Sequence, residues 1–411
     1  MNGLELFTSL ALLATGAAVL ALVVNAVWPR TSGRPVIVSW PAAWLAIEMP
    51  VHVLLGGIIA VAVLVAFGGI HPLGIAGLVL FGAGAAGLAW FAYRSRATRI
   101  AADPPLPEMA ARSGPEYPGS HVLLPWLPWR RRDIQRINNV VYSRHGNLGL
   151  KLDITLPRDG EVPDGGRPAI IQVHGGGWSV GSRKDQAIPL LTHLAANGWV
   201  GFNIDYRLSP RSRWPDHIVD VKQAIAWVRE HAGEYGIDPS FIAITGGSAG
   251  GHLAALAALT SGDPLFQPGF EDADTSIAAC VAFYGVYDLL DEDRHHFRPI
   301  GSLLQRRVFR TRRKEQPDLF RAASPLHRIT AEAPPFLVVH GDQDSLVTVE
   351  EGRRFAMKLR EKSRKPAHYV EVAGGQHSFD LVPSWRTIRA LAVVEQFLAT
   401  AWQEHREHAS R

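Results

Sequence analysis

The chain has 411 residues, room for two or three domains, and its 42 Lys plus Arg against 38 Asp plus Glu leave a formal net charge of +4. That balance is too mild for nucleic acid, and no basic tract is interleaved with aromatic residues. The single cysteine, Cys280, excludes an internal disulfide, and no Cys/His cluster has metal-ligand spacing.

The first segment, residues 4–27, is apolar except for Glu5, Thr8, Ser9, Thr15 and Asn25. It is long enough to cross a hydrocarbon layer of about 30 Å as a helix. A second span is expected within 42–70 and a third over 73–93, separated by His71-Pro72. The Gly and Ala residues of the third span allow close helix packing. Trp28, Trp40, Trp44, Trp90 and Tyr93 fall near segment ends, where amphipathic rings prefer the interface. Glu5 stands where a cleaved signal would be basic, and two more spans follow, so the first segment is read as retained. Glu48, Pro50 and His52 mark an interfacial stretch ahead of the second span. Arg30 and Arg34 occupy the first loop, and Arg94, Arg96 and Arg99 follow the third span. Basic residues stay inside, which predicts an outside N-terminus and a cytoplasmic remainder. Residues 1–95 are thus expected to form a multi-pass domain in the cell membrane.

Residues 96–135 form the expected linker. Its stretch 101–120, AADPPLPEMAARSGPEYPGS, is rich in Pro, Gly and Ser. The next, LLPWLPWRRR at 123–132, pairs aromatic residues with arginines and is expected at the membrane surface. From 136 to 411 short apolar strands alternate with amphipathic helices: KLDITLP, AIIQVHG, WVGFNIDY, FIAITGG, AACVAFYG, PFLVVHG and HYVEVAG are the strands. Such alternation predicts an α/β domain, a mostly parallel sheet covered by helices on both faces. Cys280, within one of these runs, is expected to be a buried thiol. Residues 288–322 interrupt the alternation and carry Arg294, Arg298, Arg306, Arg307, Arg310, Arg312, Arg313 and Lys314. The segment reads either as a solvated helix or as a lid that touches anionic lipid.

Ligands of such sheets bind at the carboxyl ends of the strands. There the sequence places HGGGW (174–178), GGSAG (246–250), HGDQDSLV (340–347) and GGQHSF (374–379). A serine hydroxyl needs a base within hydrogen-bond reach to become a nucleophile. Ser248 is the candidate nucleophile, His377 the base, and Asp344 the carboxylate that orients the imidazole, with Asp342 a competitor for that last role. The backbone N–H groups of Gly176, Gly177 and Ala249 are the candidate oxyanion hole, reinforced by a helix starting after Ser248. His174, His340 and His252 are expected to brace loops by hydrogen bonding or packing, and Asp205 and Arg207 to fix a loop beneath the site. A lone Gly-x-Ser-x-Gly is a weak signal; the order Ser, acid, His with an HGGG upstream is a strong one.

In these residues the chain resembles the hormone-sensitive-lipase-like and bacterial carboxylesterase branch of the α/β-hydrolases, over about 138–400. DYRLSP (205–210) looks like that branch's D-Y-R-L-A-P, HGDQDSLV like its acid motif, and GGQHSF like its histidine motif. The resemblance implies ester hydrolysis through an acyl-enzyme without metal or cofactor, an oxyanion hole at Gly176, Gly177 and Ala249, and Asp344 rather than Asp342 as the acid. The chain departs from many hormone-sensitive-lipase relatives at Gly247, where they carry Asp or Glu. Its SAGGHL (248–253) also resembles formamidase and prenylcysteine-methylesterase relatives. The expected function is therefore a membrane-anchored serine carboxylesterase acting on an acyl ester, lipids among them. The rivals are an amidase, formamidase or prenylcysteine methylesterase on the same triad, and a non-catalytic scaffold.

Overall fold

The computed structural model describes residues 2–31, 33, 35–107, 116–125, 127, 131–292 and 298–410. Arg34, Arg294, the middle of the expected linker (108–115) and part of the expected surface segment (126, 128–130) lie outside the described residues, as does the side chain of Arg298.

Asn2 starts the first helix, α1 (Gly3–Val27), with a capping box. Asn2 Oδ1 accepts from the Glu5 N–H at 2.8 Å, and the Glu5 carboxylate accepts from the Asn2 N–H at 2.7 Å. Then come α2 (Val36–Glu48), α3 (Pro50–Gly68) and α4 (Pro72–Ala97). α1, α3 and α4 are each long and apolar enough to cross a membrane. The apolar run of the second expected span is broken at Met49, because Pro50 has no N–H to continue a ladder and instead opens α3. α2 is therefore a separate short helix. Gly77 lets α4 lie directly on the backbone of Leu12 and Leu13 in α1, where a Cβ would collide.

Beyond this bundle runs one eight-stranded sheet. Its strands are β1 (Ile134–His145), β2 (Leu148–Pro157), β3 (Arg167–Val173), β4 (Val200–Ile204), β5 (Ile237–Gly247), β6 (Ala279–Phe283), β7 (Phe336–Gly341) and β8 (Ala367–Val372), in the order β1-β2-β4-β3-β5-β6-β7-β8. β1, β2 and β4 pair antiparallel; from β4 through β8 all neighbours are parallel. The helices that cover it and are named below are α5 (Ile188–Ala196), α6 (Asp216–Glu230), α7 (Ala249–Leu259), α9 (Val349–Lys362) and α10 (Trp385–Ala409); the short α8 (Arg298–Leu303) lies in the basic segment. Successive strand residues point to opposite faces. Ile171, Ile244 and Cys280 pack with α6, α7 and α9, while Ile170, Ala243 and Val281 pack with α5 and α10. Cys280 is fully buried, and burial holds its thiol protonated.

The basic segment 288–322 is not a wholly solvated helix: Leu304, Val308, Phe309 and Phe320 are buried in the same core as α6 and α7, and the Trp214 N–H donates to the Val308 carbonyl at 2.9 Å. Before β1, the backbone of Asp103 exchanges two hydrogen bonds with Tyr369 of β8, at 2.8 and 2.7 Å.

The parallel register decides where function can sit. Val173 aligns with Gly246, Gly247 with Phe283, Phe283 with Val339, and Gly341 with Val372. The loops after β3, β5, β6, β7 and β8 therefore all leave from one edge.

Candidate active site

Ser248 occupies the corner between β5 and α7 with φ 57° and ψ −122°. A non-glycine residue in such a conformation costs on the order of 1–3 kcal/mol and persists only where its surroundings enforce it. Here the Ser248 N–H donates to the Phe283 carbonyl at 3.0 Å, and the Ser248 carbonyl accepts from the His252 N–H at 3.0 Å. The crowding explains the glycines. A Cβ on Gly250 would strike the Val173 carbonyl, and one on Gly247 would come within 2.7 Å of the Tyr284 hydroxyl. Ser248 itself is partly exposed, while its neighbours on both sides are buried.

The HGGG loop after β3 lies against this corner: a Cβ on Gly175 would sit 3.2 Å from that of Ser248. Gly176 and Gly177 have φ of 113° and 57°, values at which a side chain is strained. Among the described residues no acceptor meets the N–H of Gly176, Gly177 or Ala249. Of these, Ala249 opens α7, where the helix dipole is positive. The loop is held from below. Gln186 Oε1 accepts from the Gly175 N–H at 2.7 Å, and the His174 ring stacks on Tyr206 at 4.4 Å. Trp178 Nε1 donates to His252 Nδ1 at 3.1 Å, so His252 carries its proton on Nε2 and donates it to the Ala323 carbonyl at 2.8 Å. Burial pushes His252 down to about 4. Asp205 accepts from the Arg183 N–H at 2.9 Å, and Arg207 pairs with Asp220 of α6 at 2.7 Å.

After β7 and β8 the structure brings Asp344 and His377 together. His377 Nδ1 donates to Asp344 Oδ2 at 2.7 Å. The other carboxylate oxygen, Oδ1, accepts from the N–H groups of Leu346 and Val347, both at 2.8 Å. His340 Nε2 lies 3.3 Å from the oxygen shared with His377 and 3.0 Å from the Val347 carbonyl. Burial alone would raise the Asp344 carboxyl; the two imidazoles facing it reverse that and hold it well below the usual carboxylate range. Asp342 instead accepts from the Gly374 N–H at 2.6 Å, and burial raises it.

Tyr284, after β6, stands between the two halves. Its ring is 4.8 Å from that of His377, its hydroxyl borders Gly247, and it donates a hydrogen bond to the buried carboxylate of Asp380. Ser248 and His377 thus share one sheet edge, although no hydrogen bond joins them among the described residues; such bonds are commonly long before substrate binds. Sequence reasoning missed Gln186, Tyr284, Asp380 and Gln376. Gln376 Oε1 accepts from the N–H groups of Ser345 and His377, at 2.8 and 2.9 Å, and so ties the acid loop to the histidine loop. Its only signal was its place inside the GGQHSF stretch.

A strained serine after β5, with an acid and an imidazole on the loops after β7 and β8 of a mostly parallel sheet, defines the α/β-hydrolase class. Within it the chain belongs to the family described as BD-FAE, which matches residues 152–359. Several relatives are esterases by name. "Probable carboxylic ester hydrolase LipM" of Mycobacterium tuberculosis is 48% identical over 272 residues, 66% of this chain and 62% of that protein. "Esterase LipQ" of the same organism is 38% identical over 390 residues, 90% of this chain and 86% of that one. Among solved structures, a thermophilic esterase from Thermogutta terrifontis in its butyrate-bound form superposes with a TM-score of 0.55 at 30% identity, over 66% of this chain and 94% of that one.

Proposed function

We propose that the protein is a membrane-anchored serine carboxylesterase. Ser248 Oγ attacks the acyl carbonyl while His377 Nε2 takes its proton. Asp344 holds the opposite ring nitrogen and stabilises the imidazolium. The N–H groups of Gly176, Gly177 and Ala249 donate hydrogen bonds to the carbonyl oxygen and stabilise the charge that develops on it. His377 returns the proton to the departing alcohol, leaving an acyl-serine. Water, deprotonated by the same imidazole, then releases the carboxylic acid and restores the hydroxyl. The observation that carries this reading is the 2.7 Å His377–Asp344 bond on the sheet edge that also bears the strained Ser248 corner. The names of the relatives support it.

In the same reading residues 1–95 are a membrane domain, 96–135 a linker and 136–411 the catalytic domain on the cytoplasmic side. The apolar surfaces of α1, α3 and α4, with Phe7, Ile59 and Val79 exposed, support membrane insertion. The contact of Arg389 of α10 with the carbonyl of Ser95 at the end of α4, 3.0 Å, supports a catalytic domain seated at that end of the bundle. Segment 288–322 acts as a lid over the site that meets anionic lipid. In support, the side chain of Leu303 lies over Gly177, within 2.9 Å of where a Cβ would be. The substrate class is acyl esters, those of lipids included.

The test is Ser248→Ala on a short p-nitrophenyl ester. The account expects kcat to fall by about 10⁴-fold or more with the fold intact by circular dichroism. Wild-type turnover in that variant would refute the assignment.

A further inference from the structure

The loop that carries His377 is gripped from outside the catalytic domain. Trp40 and Trp44 are four residues apart in α2 and so lie on one face of that helix. Trp40 Nε1 donates to the His377 carbonyl at 3.1 Å, and Trp44 Nε1 donates to the Ser378 carbonyl at 2.9 Å. The Trp40 ring also meets the His377 imidazole edge-on, with centroids 6.1 Å apart. At the end of α2, the Ile47 carbonyl accepts from Arg386 Nη1 at 3.2 Å, and Arg386 Nε donates to the Ala373 carbonyl at 3.0 Å. Arg386 is buried, 3.7 Å from the buried carboxylate of Glu48. Ser378 is itself held at φ 62°, a conformation that needs external support in a non-glycine residue. An indole N–H is a donor only, so each tryptophan pins one specific oxygen.

We propose that α2 is a wall of the catalytic site and that Trp40 and Trp44 are positioning residues, which hold the His377 loop so that its imidazole stays against Asp344 and near Ser248. The N-terminal region is then a working part of the enzyme and not only its anchor. The inference rests on the reading of Ser248 and His377 given above. Replacing indole by phenyl keeps a ring and deletes the donor.

The experiment compares the full chain in detergent micelles as wild type, Trp40→Phe/Trp44→Phe, Ile37→Ala/Val38→Ala and Ser248→Ala on one soluble ester. Ile37 and Val38 are exposed residues of the same helix and control for general effects on α2. The expected result is a fall in kcat of about tenfold or more in the double Phe variant with KM within about twofold, and no change in the alanine control. If the double variant does not accumulate, the single Trp44→Phe is read in the same way. Wild-type kcat in the Phe variants while Ser248→Ala is inactive would overturn this inference and leave the esterase reading standing. A rise in KM at unchanged kcat would also overturn it, by moving α2 from positioning to substrate binding. Activity that survives Ser248→Ala would remove the premise and overturn both.

Discussion

His252 shows how a residue with no place in the reaction can still govern the site. It receives the indole proton of Trp178, the residue after Gly177, and passes its own to Ala323. It does this only as a neutral ring. Its value falls from an ordinary 6.5 to about 4 because burial penalises the charged form. Between those two values the unfolded chain binds the extra proton and the folded chain does not. Stability therefore falls as pH drops from 6.5 towards about 4, by up to about 1.4 kcal/mol per pH unit for this one group, and its contribution is flat above 6.5. Urea unfolding at pH 7 and pH 5 should show a smaller acid loss in His252→Gln than in wild type. An equal loss in both would contradict this account of the brace. The neighbouring pair of acids makes a related point. Asp342 competes with Asp344 in the sequence, the family resemblance favours Asp344, and the path of the loop puts Asp344 on the imidazole while Asp342 accepts from Gly374.

At the scale of elements, the basic segment after β6 is split by chemistry. Its apolar residues Leu304, Val308 and Phe320 anchor it in the core, while Arg306, Arg307 and Lys314 stay exposed. Changing those three to Gln should lower activity on anionic vesicles by about tenfold or more and leave a soluble ester unaffected. Equal losses on both substrates would count against lipid contact. Seven strands were legible because each is a short run between turn residues, near-continuously apolar in β3 to β7 and alternating in β2 and β8. β1 was not: it is an edge strand rich in polar residues, and bulges between Ile137 and Val140 and between Val141 and Ser143 break its alternation. α2 was also hidden, because its composition runs on into α3 and only Met49-Pro50 separates them.

Across the whole molecule, the sequence divides cleanly into an apolar first quarter and an alternating domain, and motifs at strand ends point to one sheet edge. What it could not disclose is the seam between the two parts. Trp40 and His377 are 337 positions apart, and nothing in either neighbourhood announces the other. Trp40 and Trp44 match the pattern of interfacial anchors, and the contact they make with the histidine loop follows from how α10 and α4 dock. Everything else in the account depends on Ser248 being an activated nucleophile. The direct measurement is labelling of the full chain with a fluorophosphonate, followed by peptide mass spectrometry and a parallel assay of ester turnover. The account predicts a single adduct on Ser248, with turnover lost in proportion to labelling. An unmodified Ser248, or turnover that continues after Ser248 is fully modified, would contradict it.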